Sequence, residues 1–200
     1  IAKTLKGEGV DTLFYLMGGP DFDIVMECQD VGIRTIDFRH EQAAAFAAHA
    51  YSRVTGKPGV LTAASGPGTL NLITGVYTAA IDCSPMVILG GASPVHEISR
   101  DAFQEVDQVG IMQPLCKYWH RPTMASRYPE IVSTAYRQAQ SGRPGPTYID
   151  CGGDVLYEEV EESDVFPPTR AETRTRPAAE SAVVDKAMAL ISNAERPLIF

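Results

Sequence analysis

Apolar residues along this chain gather in short runs separated by longer amphipathic stretches. Thr12–Leu16 (TLFYL) is an apolar run of strand length; a Gly-Gly-Pro turn and an amphipathic stretch over 22–29 follow it. Gly32 breaks the chain before a second strand, 33–38. Residues 41–54 hold no Gly or Pro and are rich in Ala, the best helix former, and Gly56 and Pro58 stop that helix. The third strand is 59–64 and the next helix 68–81. Residues 85–89 (PMVIL) form a fourth strand, apolar on both faces as suits a strand covered by helices on each side. A helical segment at 105–112 and a helix at 128–141 lead, past GRPGP, to a fifth strand at 147–150.

Strands alternating with helices imply right-handed crossovers, hence an α/β fold with an open parallel sheet and helices on both faces. This domain takes residues 1–166. Between Glu158 and Glu180 the chain turns acidic and proline-bearing, and 167–180 read as a solvated linker. Residues 181–200 open a second α/β domain: Ser181 caps an apolar-periodic helix to about Asn193, and a strand starts at Arg196. The first ten residues have the pattern of a helix tail, and ERPLIF closes the chain without a turn signal. Both ends suggest a piece of a longer polypeptide.

Composition narrows the function. A formal charge of −8 over 200 residues argues against a nucleic-acid surface, which needs clustered Lys and Arg. No apolar run approaches the roughly 20 residues of a membrane span, and no secretory leader pattern occurs. Cys28, Cys83, Cys116 and Cys151 are scattered with no CxxC pair, a spacing that suits reduced thiols in a cytoplasmic protein and no metal site.

Ligands of open parallel sheets sit beyond the carboxyl ends of the strands. Three segments lie there: Gly18-Gly19-Pro20, Arg39-His40-Glu41 and Ser65-Gly66-Pro67-Gly68. Glu41 has two readings. A carboxylate in the first turn of a helix is favoured by the macrodipole and needs no ligand. Yet this helix is so apolar that its start should be buried, and a buried carboxylate needs a partner or a proton. His40 reads as a capping or packing residue. SGPG reads as a turn and helix start; it lacks both the Lys-Ser/Thr of a P-loop and GxGxxG spacing. Asn71 either aims its amide at a ligand or faces solvent.

Taken together, RHEQAAAFAAHAYSRVTGKPGV and SGPGTLNLITGVYTAAIDCSPMVIL closely resemble the N-terminal, pyrimidine-binding domain of thiamine-diphosphate-dependent enzymes, with DAFQEVDQVG and SGRPGPTYID extending the likeness to about Phe166. The resemblance implies a flavodoxin-like three-layer sandwich. It implies that Glu41 hydrogen-bonds N1′ of the cofactor's aminopyrimidine and drives formation of a C2 carbanion that attacks a carbonyl carbon. It places Ser65, Gly66, Pro67 and Asn71 along the ring pocket, Gly18 and Gly19 in the loop facing the reacting carbon, and Phe103 and Gln104 beside the thiazolium and substrate. Lys117, Trp119 and His120 fall in a further strand of the family, and His96 in a loop. The Gly-Asp-Gly…Asn motif that binds diphosphate and Mg²⁺ in the family does not occur here. The resemblance therefore implies half a cofactor site, inactive alone and completed by a C-terminal domain of a second subunit in a homodimer or homotetramer. Relatives use the central domain for FAD or ADP, or only for structure.

Within the family, GGAS after the fourth strand and a Gln after Asp107 look more like 2-hydroxyacyl-CoA lyases and oxalyl-CoA decarboxylases; DAFQEVD is shared with acetolactate synthases. The leading expectation is a carbon–carbon lyase acting on a 2-hydroxyacyl-CoA or 2-oxo acid. The alternatives are an acetolactate-synthase-like carboligase and a non-catalytic flavodoxin-like binding module.

Overall fold

The computed structural model describes residues 1–168 and 178–198. Six strands, β1 (Thr12–Leu16), β2 (Arg34–Asp37), β3 (Gly59–Ala63), β4 (Met86–Ala92), β5 (Tyr118–His120) and β6 (Pro146–Gly152), form one sheet in the order β2-β1-β3-β4-β6-β5. Every pairing is parallel. This is the α/β architecture the hydrophobic pattern predicts.

Successive side chains of a strand point to opposite faces, so the central strands supply two cores. Leu13, Val60, Val87, Leu89 and Ile149 face α1 (Ala2–Gly7), α2 (Phe22–Asp30) and α7 (Tyr128–Gln140). Phe14, Leu61, Met86, Ile88 and Tyr148 face α3 (Glu41–Thr55), α5 (Ile73–Ile81) and α6 (Gln108–Met112). The short helices α4 (Pro67–Asn71) and α8 (Gly153–Leu156) follow β3 and β6 directly.

Three details differ from the sequence pattern. The strand β5 has no apolar run; its three residues pair with the edge of β6, and only family likeness pointed to it. The single helix expected over 68–81 is divided at Leu72, whose N–H bonds the Thr69 carbonyl and tightens the turn to a 3₁₀ contact. Glu105 lies outside α6. Its carboxylate accepts the N–H groups of Ser99 and Ala102, which ties down a loop where Ser99, Asp101 and Gln104 have positive φ. Those donors hold the Glu105 carboxyl below the usual range.

The last helix, α9 (Ser181–Asn193), has no buried residue. Residues 196–198 take no strand conformation, so the strand expected from Arg196 is not formed among the described residues. Positions 199–200 and most of the expected linker (169–177) lie outside the described residues. Among the described residues no helix is long and apolar enough to cross a membrane. All four cysteines are free thiols.

The alanine run of α3 has a packing purpose. Ala44, Ala45 and Ala48 are fully buried, which brings the helix backbone close to the sheet and to α5. A Cβ on Gly59 would stand 2.1 Å from the Ala48 carbonyl oxygen, and one on Gly75 would stand 2.5 Å from the Ala45 Cβ. Gly59→Ala therefore has no room without displacing α3. The expected loss is at least ~2 kcal/mol in urea unfolding; an unchanged midpoint would show that α3 and β3 are not locked together.

Candidate functional site

The chain goes outward from β1 to β2 and returns to β3 on the other side of β1, so the loops after β1 and β3 diverge. Such a switch point is where open α/β sheets form their ligand crevice. The loop after β1 carries Gly18, Gly19 and Pro20, and the loop after β3 carries Ser65 and Gly66. The two are joined by the Ser65 N–H donating to the Gly19 carbonyl at 3.0 Å. Gly18 is small for a packing reason, since its Cβ would overlap that of Ala64 at 2.4 Å, whereas Gly19 has open space.

Glu41 reaches this crevice from the first position of α3. His40, extended at φ −156°, is the N-cap, and its Nδ1 accepts the Gln42 N–H at 3.1 Å. That nitrogen is thus an acceptor and does not donate to Glu41, whose Oε2 lies 3.9 Å away. Asn71, the last residue of α4, donates from Nδ2 to Glu41 Oε2 at 2.9 Å. Glu41 is only 9% exposed. Its other oxygen, Oε1, accepts no hydrogen bond among the described residues and lies over Gly68, where a Cβ would come within 3.4 Å.

Ser65 donates from Oγ to Gln104 Oε1 at 3.0 Å. Gly66 turns at φ 59°, a conformation open to glycine, and a Cβ there would meet the Gln104 carbonyl oxygen. Pro67 then opens α4, its ring occupying a helix position that needs no N–H. These contacts bring Glu41, Ser65, Gly66, Pro67, Asn71, Gly18, Gly19 and Gln104 together at one end of the sheet. Phe103, next to Gln104 in the chain, is 86% exposed, and its carbonyl accepts the Ser93 hydroxyl. His96 is tied to Asp154 at 2.9 Å, and Lys117 donates to the Gln138 and Ser141 carbonyls.

Two buried polar residues have structural roles here that the sequence did not reveal. Gln108, behind the turn, takes the Gly66 N–H on its Oε1. Asp21, fully buried just after Pro20, has an Oδ1 without a partner. Neither breaks the apolar periodicity in a way that announces its role. Among the described residues no group of three or more His, Cys, Asp or Glu side chains is placed to hold a metal ion.

A helix-entry carboxylate with one free oxygen, set over a glycine turn at a sheet switch point, fits recognition of a flat, protonatable heterocycle. The chain belongs to the thiamine pyrophosphate enzymes: residues 1–111, which include Glu41 and the turn, match the family's N-terminal thiamine-pyrophosphate-binding domain. It is 39% identical to a probable acetolactate synthase large subunit of Methanococcus aeolicus over 98% of this chain and 33% of that protein. It is 35% identical to a 2-hydroxyacyl-CoA lyase of Arabidopsis thaliana, over 100% of this chain and 36% of that protein. With 2-hydroxyacyl-CoA lyase 2 of Bos taurus the identity is 41%, over 78% of this chain and 25% of that protein. The chain spans about a third of the length of the curated relatives it matches.

Asp21 yields a pH prediction. Thr62 Oγ1 lies 3.2 Å from Asp21 Oδ2 and 2.7 Å from the Leu89 carbonyl oxygen, and its single hydrogen serves one of them at a time. A proton on Asp21 satisfies both. Burial accordingly pushes this carboxyl up to about 7 from 3.8. The folded state then holds a proton the unfolded chain releases, so stability falls as pH rises from about 4 to about 7, by up to ~4 kcal/mol, and is flat above. Asp21→Asn should flatten that slope, its advantage over wild type growing with pH in urea melts at pH 5, 6 and 7.5. Parallel curves would refute the assignment.

Proposed function

We propose that the full-length protein containing this chain is a thiamine-diphosphate-dependent enzyme that breaks or makes a carbon–carbon bond beside a carbonyl group, and that the lyase direction, on a 2-hydroxyacyl-CoA or 2-oxo acid, is its main activity. One observation carries the reading: a nearly buried carboxylate held by an amide on one oxygen and open on the other. The open Oε1 suits a protonated ring nitrogen such as N1′ of an aminopyrimidine, and it lies over Gly68, where a Cβ would crowd both it and Ala64. When bound, the cofactor supplies the electron sink that a polypeptide lacks.

The chain's own residues have separate tasks. Glu41 exchanges a proton at Oε1. Asn71 fixes the rotamer by holding Oε2. The 65–68 turn sets the distance of the ring from the sheet. Gly19, with open space around it, and the exposed Phe103 border the side from which a substrate would arrive. Diphosphate and Mg²⁺ would be held by a C-terminal domain of a partner subunit, and the exposed apolar residues of α9, Val184, Met188 and Ile191 at i, i+4 and i+7 among them, supply a face on which the rest of a central domain can pack.

The lyase reading draws on Gln108 after Asp107 and on the 2-hydroxyacyl-CoA lyases among the relatives. A synthase that joins 2-oxo acids is the second reading, because acetolactate synthases match over the whole chain at similar identity.

In the full-length enzyme Glu41→Gln should lower kcat at least ~100-fold with little change in fold; turnover within a few-fold of wild type would refute the proton-transfer role. Mass spectrometry of products separates the two directions. Formyl-CoA from a 2-hydroxyacyl-CoA supports the lyase, and acetolactate from pyruvate supports the synthase.

A further inference from the structure

Behind the turn lies a chain of buried polar side chains that proton exchange at Glu41 does not use. Gln108 opens α6 and is 1% exposed. Its Oε1 accepts the Gly66 N–H, and its Nε2 lies 2.9 Å from each of three acceptors: the Gly91 carbonyl, the Tyr148 hydroxyl and Asp150 Oδ1. Because an N–H only donates, the Gly66 contact fixes which end of the amide is oxygen. Tyr148, fully buried, donates its hydroxyl hydrogen to Asp150 Oδ1. Burial pushes its phenol well above its ordinary range, so it stays a donor. Arg121 pairs with the other oxygen of Asp150, which is itself inaccessible to solvent.

These contacts have a direction. Arg121 neutralises Asp150; Asp150 takes the Tyr148 hydrogen and one N–H of Gln108; Gln108 then presents its oxygen to Gly66. The turn has two further tethers, Ser65 Oγ to Gln104 and the Ser65 N–H to the Gly19 carbonyl, and both reach loops. The Gln108 tether, by contrast, is rooted in the central sheet, through β6.

We propose that Gln108 is a positioning residue for the ring-facing turn: the Arg121–Asp150–Tyr148 chain orients its amide, and the amide holds Gly66 at the distance from Glu41 that cofactor binding requires. This rests on the thiamine diphosphate reading of the site. A packing role alone would need only the shape of the side chain, which Met shares, while a positioning role needs both ends of the amide.

The test uses the full-length enzyme, with thiamine diphosphate and Mg²⁺ titrated by calorimetry, steady-state kinetics and thermal melts on the same samples. Gln108→Met leaves the Gly66 N–H without an acceptor and should weaken cofactor binding at least ~10-fold. Ile131→Ala, in the core on the opposite face of the sheet, should lower the melting temperature while leaving cofactor affinity unchanged. Gln108→Glu separates the roles by pH. The groups facing position 108 are Tyr148 and Asp150 of β6, with Arg121 behind Asp150; Asp107 is engaged with the Gly110 N–H. A protonated Glu accepts from Gly66 and donates toward Asp150 as Gln does, whereas an ionised Glu faces the Asp150 carboxylate. Its affinity should approach wild type near pH 5.5 and fall away from it by pH 8, and this arm holds even if the Met variant does not fold.

The proposal is overturned if Gln108→Met melts earlier yet binds cofactor and turns over within two-fold of wild type, or if the Gln108→Glu affinity runs parallel to wild type across pH. Wild-type enzyme that fails to bind thiamine diphosphate would overturn the reading of the site itself, a result distinct from either of these.

Discussion

Close approach of α3 to β3 is the constraint on which the rest of the molecule depends. The Ala48 carbonyl occupies the space where a side chain at residue 59 would stand, so helix and strand are held backbone to backbone. Glu41 is the first residue of that helix, and the glycine turn follows directly on that strand. The separation between carboxylate and turn is therefore set by a contact with almost no rotameric freedom, because alanine and glycine have none to lose. A larger side chain in either element would move the carboxylate relative to the turn before it touched either one.

The pattern of apolar residues carried the strands of the central sheet well, since strands covered on both faces are continuous hydrophobic runs. It failed where burial was partial. The strand β5 alternates half-exposed residues at the sheet edge and is fixed by its pairing with β6, a long-range contact that leaves no local trace. The break at Leu72 is equally silent, because Leu is a good helix former and only the tertiary position of the turn stops α4 there.

Within the candidate site, sequence showed which loops meet but not how they are joined. The strand-end rule placed Gly18, Gly19, Glu41 and Ser65 at one edge. The reason for each residue then differed from the motif's suggestion. Gly18 is small because Ala64 stands against it, and Gly19 has open space. Gln104 enters through a loop whose positive φ angles are stabilised by the Glu105 carboxylate, a use of acid that looks like ordinary helix-start chemistry in the sequence. Gln108 was legible only as a family preference; its partners Tyr148, Asp150 and Gly91 are distant in sequence, and no periodicity links them.

What emerges is a division of labour by chemical type. The side chains that fix the geometry of the turn and of the carboxylate, Gln104, Gln108 and Asn71, are all amides. An amide both donates and accepts and never ionises, so the frame it builds keeps one arrangement whatever the pH. The Asp150 charge, buried beside this frame, is matched in place by Arg121. A carboxylate in the position of Gln108 would have tied the shape of the pocket to the protonation of a second acid. Keeping that position an amide leaves the proton exchange proposed for this site to Glu41 alone, at the mouth of the alanine helix.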